Sequence, residues 1–259
     1  MSVLRKAVAS AFARTGIAGR SGAPRPVDPV EFSARDRDIL NYVIDKRLTM
    51  GSRERVIATI AACKHAVDAE TPGDFVECGV WRGGNSIAAK LTFEAYGSDK
   101  QVWLFDTFAG MTAPSDVDTT QFSSGSTEDR FRDAQADDHN EWCFASLDEV
   151  RGNCCDAKLD MSAVHFVQGD VTKTLQDKAN LPAQISVLRL DTDFYDSTKA
   201  ELDVLYPRLS IGGSILLDDY GHWEGAKQAV EEYFAALPPP RRPLLQLTDY
   251  TGRMGVKVR

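Results

Sequence analysis

Carboxylates recur at the ends of short apolar segments in this chain. Glu77 closes DFVE, Asp106 closes VWLFD, Asp170 closes FVQGD, Asp191 follows LRL, and Asp218 and Asp219 follow ILL. A lone aspartate in such a place is usually a helix cap, and Asp196 is read as one. The repetition is harder to explain that way, because neighbouring strands would set Asp191 beside Asp218 and Asp219. Crowded carboxylates repel one another, and leaving water adds to the cost of keeping them ionised. A divalent cation resolves that conflict. An all-oxygen donor set suits Mg²⁺, with Mn²⁺ or Ca²⁺ as alternatives. Neighbouring hydroxyls of a sugar or phenol can replace the ion's waters, which lowers a hydroxyl's pKa and fixes its orientation.

The stretch PGDFVECGVWRGGN, Pro72 to Asn85, adds a second group to that rim. Gly79, Gly83 and Gly84 let the backbone turn sharply and approach a ligand closely. A helix from Ser86 onward would face its free N–H groups and positive end toward the turn. The spacing Gly-x-x-x-Gly-Gly is not the Gly-x-Gly-x-x-Gly of dinucleotide binders. It favours a cofactor without a pyrophosphate, and S-adenosylmethionine is the candidate. Asp106 could accept hydrogen bonds from both ribose hydroxyls, and Asp170 could reach the adenine amine. An activated acceptor oxygen would then attack the methyl group in line, with catalysis coming mostly from positioning and charge stabilisation. His222, close behind the acidic pair, is a candidate base or substrate contact, with a structural role as the alternative. His65, His139 and His165 show no partner pattern. Trp81, Tyr195 and Trp223 lie near the site, where they could stack on a sugar or adenine or simply pack in the core.

The elements that must hold these residues alternate along the chain. Helices are expected at about Ala34–Lys46 and Arg53–Ala69, with Ser33 and Ser52 as N-caps. Strands are expected at Phe75–Cys78, Val102–Phe105, Val164–Gln168, Ile185–Leu190 and Ser214–Leu217. Helices follow at Ser86–Tyr96, Ser146–Cys154, Thr172–Asn180, Ser197–Leu209 and Trp223–Ala236. Ser146 and Glu149 have capping-box spacing. Continuous apolar strands fit an α/β fold with a parallel sheet covered on both faces. Leu244–Thr248 and Met254–Val258 read as a closing antiparallel hairpin. From Thr107 to Glu141 no element is visible, and so long a segment reads as a substrate-covering insertion, with disorder as the alternative.

Composition narrows the function classes. A chain of 259 residues, 43% of them hydrophobic, suits one large domain. The net charge of −8 argues against nucleic acid as a partner. The five cysteines are odd in number, show no CxxC spacing and read as free thiols in a reducing cytoplasm. No apolar run approaches a membrane span. The first 27 residues carry Arg5, Lys6, Arg14, Arg20 and Arg25 and no acid. With Val3, Leu4, Val8 and Phe12 on one helical face, this arm could lie on a membrane or an acidic partner, serve as a transit peptide, pack in a dimer, or simply be mobile. Pro24 to Pro29 reads as its linker. The domain plan is an arm over residues 1–30 and one domain over residues 31–259, interrupted at about 107–141.

In order and spacing, PGDFVECGVWRGGNS, VWLFDTFAGM, VQGDVTKTL, VLRLDTDFYDST, LYPRLSIGGSILLDDYG and AVEEYF resemble the macrocin O-methyltransferase (TylF/MycF-like) family. The resemblance runs from about Leu48 to the C-terminus. It implies a Rossmann-like class I methyltransferase with a mainly parallel seven-stranded sheet, the closing hairpin and extra N-terminal helices. It also implies an enzyme that binds Mg²⁺ and methylates a sugar hydroxyl; a small-molecule or glycan acceptor, a homo-oligomer and a cytoplasmic location are expected beside it. By position, Glu77, Gly79 and Asp106 match the cofactor motifs, and Asp191, Asp218 and Asp219 match the metal ligands, with Asp191 also the general base. LTMGSRER matches a segment that contacts the cofactor, which adds Met50 and Ser52. The chain departs at DTFAGM, where the family reads D-S-F-x-G-L-P, and its insertion has no match, so antibiotic sugars are not carried over as acceptors.

Three other readings compete with this one. A phosphatase of the haloacid dehalogenase type would use Asp191 and Asp193, but its Asp-x-Asp strand comes first in that fold and the glycine turn would go unexplained. An NAD-dependent oxidoreductase fails on the glycine spacing, and no catalytic Tyr-x-x-x-Lys is read in the chain. A non-catalytic S-adenosylmethionine-binding protein would have no need of the three rim aspartates.

Overall fold

Ile185–Leu190 (β4) is the middle strand of the sheet, and all of its residues are buried, as its nearly unbroken apolar sequence requires. The computed structural model describes residues 28–259, and the fold below is that of Phe32–Arg259. The basic residues of the N-terminal arm, Arg5 to Arg25, lie outside the described residues. β1 (Asp74–Cys78), β2 (Val102–Asp106), β3 (Val164–Gln168), β5 (Leu209–Leu217), β6 (Gln246–Leu247) and β7 (Arg253–Val256) complete a seven-stranded sheet of order β3-β2-β1-β4-β5-β7-β6. β1 to β5 run parallel, and β7 is antiparallel to both β5 and β6.

Side chains alternate between two cores. Phe75, Leu104, Val187 and Leu216 face α1 (Ala34–Asp45), α2 (Arg53–Asp68), α3 (Gly84–Ala95) and α5 (Leu147–Asp156). Val76, Phe105, Leu188 and Leu217 face α6 (Val171–Thr174), α7 (Tyr195–Leu205) and α8 (Glu224–Ala236). The strand order reverses between β1 and β4, so the crevice beyond their carboxyl ends is where such a sheet takes a ligand. The tips there are tied by backbone bonds: Asp191 N to Cys78 O at 2.9 Å, Asp218 N to Leu190 O at 2.9 Å and Gly79 N to Phe105 O at 2.8 Å.

Ser33 caps α1 with a full capping box completed by Asp36, and Ser52 caps α2 through Arg55 N. Ser146 completes only half of the expected box. Its hydroxyl takes Glu149 N at 3.2 Å, but the Glu149 carboxylate turns to Arg82 Nε at 2.6 Å. The single helix expected at Thr172–Asn180 is instead α6 and a 3₁₀ turn at Lys178–Asn180, because the Asp177 side chain takes Ala179 N and starts a new cap. The hairpin is shorter than expected, since Asp249 turns the chain by accepting from Thr251 N and Gly252 N.

The insertion is ordered, contrary to a reading without elements. It contains α4 (Thr127–Asp133), capped by Ser126, and a bridge between Gln135 and Asn140. The helix has seven residues, none of them buried, so it leaves no periodic apolar signal. Phe131, Met111 and Trp142 join Phe194, Trp223 and Ala226 in a small core of their own. Asp196 does not cap α7. Phe194 holds the cap position without a side-chain bond, and Asp118 of the insertion accepts from Tyr195 N at 2.7 Å instead. Trp223 likewise cannot cap α8, and Thr119 O accepts from Glu224 N at 2.9 Å. The insertion thus caps both helices from a distance.

Asp118 is buried and also accepts from Ser115 N and Oγ, each at 2.7 Å. Asp118→Ala should therefore cost about 1–3 kcal/mol by orphaning buried N–H groups, read as a lower urea midpoint together with faster proteolysis inside residues 107–141. An unchanged midpoint would show that the anchor is dispensable.

Candidate functional site

A cavity of about 270 Å³ opens at the switch point. Met50, Glu77, Gly79, Asp106, Asp170, Asp191, Asp218, Asp219 and His222 all line it. Ser52 does not. Its hydroxyl donates to Asp249 Oδ2 at 2.7 Å and caps α2, so its role here is structural. Trp81 also lines the cavity, whereas Trp223 packs in the insertion's core and Tyr195 bonds Glu232 on the surface. Gly79, with φ +77°, is where β1 and β4 tips come closest: a Cβ there would lie 1.9 Å from Asp191 O.

On the β2 side of β1, Asp106 organises the glycine turn. Its Oδ2 accepts from Val80 N at 2.7 Å and Trp81 N at 3.2 Å, and its Oδ1 from Phe108 N at 2.7 Å. Burial pushes its carboxyl up, against the pull of those amides. Asp170 caps α6 through Thr172 N at 2.9 Å. Burial opposes ionisation there, but the bonds to Thr172 and Lys173 outweigh it and hold the carboxyl low.

On the β4–β5 side, one oxygen each from Asp191, Asp218 and Asp219 lies within 4.8 Å of the others. Beneath them is a residue that sequence reasoning passed over. Arg189, 1% exposed, donates to Asp191 Oδ2 at 2.8 Å and to Asp218, and lies 3.6 Å from Glu77 Oε1. Glu77 and Arg189 face each other in the β1–β4 register, and Ser86 Oγ donates to Glu77. Arg55 was also missed. It pairs with Asp218, bonds Thr251 and donates from Nε to Asp249 at 2.8 Å. The available signal was an arginine inside an otherwise apolar strand, since a charge so buried must be paired.

Two guanidiniums do not neutralise this group. Burial, then the neighbouring aspartates, raise the Asp191 and Asp219 carboxyls well above the usual range, with Arg189 opposing at Asp191 and Arg55 at Asp219. Burial and Asp191 push Asp193 up to about 7, and burial pushes Glu77 up to about 7 against Arg189 and Ser86. Burial, Arg55 and Arg130 lower the His222 pKa, favouring a neutral imidazole. An all-oxygen trio with unspent negative charge fits a hard divalent cation. The same acidic walls suit a cationic sulfonium beside the N-terminal turn of α3, where Gly84 and Asn85 line the cavity.

Asp193 lies at φ +69°, donates its N–H to Asp219 Oδ2 at 3.1 Å and accepts from Trp223 Nε1 at 2.8 Å. Held in this way it is poorly placed to be the mobile acid that a phosphatase needs. Tyr195 and Lys199 do have the Tyr-x-x-x-Lys spacing of some oxidoreductases, which the sequence reading overlooked. They pair with Glu232 and Asp203 on the surface of α7, and neither lines the cavity. Among the described residues no helix is long and apolar enough to cross a membrane.

Comparison with known proteins points the same way. Residues 20–244 match the family model described as macrocin-O-methyltransferase (TylF). The chain is similar to 8-demethyl-8-(2,3-dimethoxy-alpha-L-rhamnosyl)-tetracenomycin-C 4'-O-methyltransferase of Streptomyces olivaceus, at 35% identity over 62% of this chain and 58% of that one. It is similar to mycinamicin III 3''-O-methyltransferase of Micromonospora griseorubida, at 35% identity over 62% and 60%. The matches thus span about 60% of these relatives' lengths. Among solved structures, the O-methyltransferase NovP superposes with a TM-score of 0.69 at 30% identity, over 82% of this chain and 83% of that one. The calicheamicin methyltransferase CalS11, at 17% identity and a TM-score of 0.62, shares the fold. The chain, with its Rossmann-like class I methyltransferase fold, belongs to the macrocin O-methyltransferase (TylF) family.

Proposed function

We propose that this protein transfers the methyl group of S-adenosylmethionine to a sugar hydroxyl, with a divalent cation, Mg²⁺ in the first instance, held by Asp191, Asp218 and Asp219. The observation that carries the reading is the carboxylate trio within 4.8 Å at one side of a cavity whose other side is the glycine turn organised by Asp106. The names of the relatives support a sugar hydroxyl as acceptor, since one acts on a rhamnosyl group.

A bound divalent cation would supply Lewis acidity, lowering the pKa of an acceptor hydroxyl and orienting a neighbouring one. The chain's own residues do the rest. Gly79 and Gly84 line the cavity beside β1, and Asp106 fixes the turn between them. Asp191 lines the cavity and is the candidate to take the acceptor's proton. Arg189 holds Asp191 from below, so its orientation does not depend on the acceptor. His222, at the cavity wall, contacts the acceptor as a neutral ring.

Asp191→Ala and Asp219→Ala should each lower kcat by about 100-fold or more while the calorimetric Kd for S-adenosylmethionine stays within a few-fold of wild type. Loss of cofactor affinity in both variants would contradict the assignment. Asp106→Ala should instead weaken cofactor binding by loosening the turn, and an unchanged Kd would refute its role.

A pH prediction follows from Glu77 and Asp193, both pushed up to about 7. A carboxyl whose folded pKa is raised contributes stability that is complete below about pH 4 and is lost as pH rises through the folded value. The carboxyl of Asp249, lowered to about 2, contributes in the opposite sense but is already fully ionised by about pH 5, and the lowered His222 is a single opposing group against the two raised carboxyls. In chelator, Tm should therefore fall between about pH 5 and 8, and Mg²⁺ should raise it more at pH 8 than at pH 5. A metal-free Tm that rose over this interval, or an equal response to Mg²⁺ at both ends, would count against a cation site there.

A further inference from the structure

Trp223 is 3% exposed, and core packing explains its ring but not where its N–H goes. Trp223 Nε1 donates to Asp193 Oδ1 at 2.8 Å, and Asp193 N donates in turn to Asp219 Oδ2 at 3.1 Å. Asp219 also begins the turn that carries Trp223, because its carbonyl accepts from His222 N at 2.9 Å and from Trp223 N at 3.1 Å. The hydrogen bonds therefore close a ring. They run from the Asp219 backbone to Trp223, along the indole to Asp193, and back to the Asp219 carboxylate. An N–H held on Oδ2 limits the rotation of that carboxylate, which belongs to the trio lying within 4.8 Å.

A buried indole N–H needs an acceptor, and many groups would serve. Here the acceptor is a residue at φ +69°, a left-handed conformation that costs a side-chain-bearing residue energy and persists only where its surroundings impose it. From that conformation Asp193 turns its carboxylate to the indole and its N–H to a rim aspartate at once.

The other end of the chain of bonds is held by rings. Phe194 meets Trp223 edge-on with centroids 5.4 Å apart, and Trp142 lies at 5.9 Å and 48°. Met111 and Phe131 of the insertion pack on the same cluster. Next to it, Phe122 of the insertion stacks on His222, which lines the cavity, with centroids 5.0 Å apart. The insertion thus grips two consecutive residues of the turn that begins at Asp219.

Resting on the cation reading above, we propose that Trp223 and Asp193 are positioning residues that aim Asp219 at the cation without ligating it themselves. The packing of Trp223 by the insertion then sets part of the site's affinity for the metal. Losing an outer hydrogen bond that orients a metal ligand typically costs about 10–100-fold in affinity.

The test is calorimetric titration of Mg²⁺ into the full chain, with S-adenosylmethionine titrated separately into each variant. Trp223→Phe keeps a ring in the core, removes the N–H and should weaken Mg²⁺ binding by about tenfold. Asp193→Gly keeps the backbone N–H, suits the left-handed φ and should do the same, because it drops the acceptor of the indole. Asp193→Asn keeps an oxygen for the indole and should stay within about threefold of wild type. Trp142→Leu should weaken Mg²⁺ binding in the wild-type chain and add nothing to Trp223→Phe. In all these variants the Kd for S-adenosylmethionine should hold within about threefold, which a general loosening of the fold would not allow. An unchanged Mg²⁺ Kd in Trp223→Phe overturns the proposal. So does an Asp193→Asn variant as weak as Asp193→Gly, since the carboxylate would then meet the ion by its own charge. Joint loss of both affinities overturns it as well, and an equal effect of Trp142→Leu in both backgrounds overturns the link to the insertion. Each of these outcomes leaves the cation site standing. If wild type itself takes up no Mg²⁺, the cation reading fails and the positioning role falls with it.

Discussion

A buried guanidinium is the hinge of the whole site. Arg189 sits in the central strand, where no water can solvate it, and is tolerable only because Glu77, Asp191 and Asp218 surround it. Those partners come from the end of β1, the tip just beyond β4 and the tip beyond β5, so one side chain locks three strand ends into register. The arrangement also explains why aspartates can crowd there at all. Arg189 and Arg55 meet part of the charge, and the remainder shows as the raised carboxyls of Asp191 and Asp219. An excess of carboxylate around a fixed positive core discriminates by charge: it repels anions and draws cations toward the cavity.

The fold was largely legible because its strands are short, mainly apolar runs. Ile185–Leu190 was readable to the residue, since burial on both faces leaves little room for polar side chains. The three aspartates that the structure brings within 4.8 Å were readable together, since each follows such a run. What could not be read was pairing at long range. Nothing near Asp118 in sequence announces that it caps α7, and nothing near Arg55 announces Asp218. Local rules misassigned Asp196 as a cap and completed a box at Ser146 because they consider only neighbours in sequence, whereas Tyr195 N and Glu149 found partners elsewhere. The short α4 escaped for a different reason: a charged helix whose one large apolar contact is Phe131 carries no periodicity to detect.

The site also divides its labour by element. Groups on strand tips and the glycine turn sit where the proposed methyl donor and the charge around it would lie. The residues at the mouth, Met50, Phe122 and Tyr250, come from turns and the insertion, and they are the exposed ones. Variation in acceptor can then occur at the mouth without disturbing the paired charges beneath it.

The distant capping of α7 and α8 limits how that variation can arise. Because Asp118 and Thr119 serve as the missing first-turn acceptors of two host helices, the insertion is not a detachable module. A loop grafted from another protein would have to bring a carboxylate and a carbonyl to the same two points, or the scaffold would fray where it supports Trp223 and Asp193. Diversification should therefore proceed by point changes near the tip around Phe122, with the flanking tether inherited unchanged.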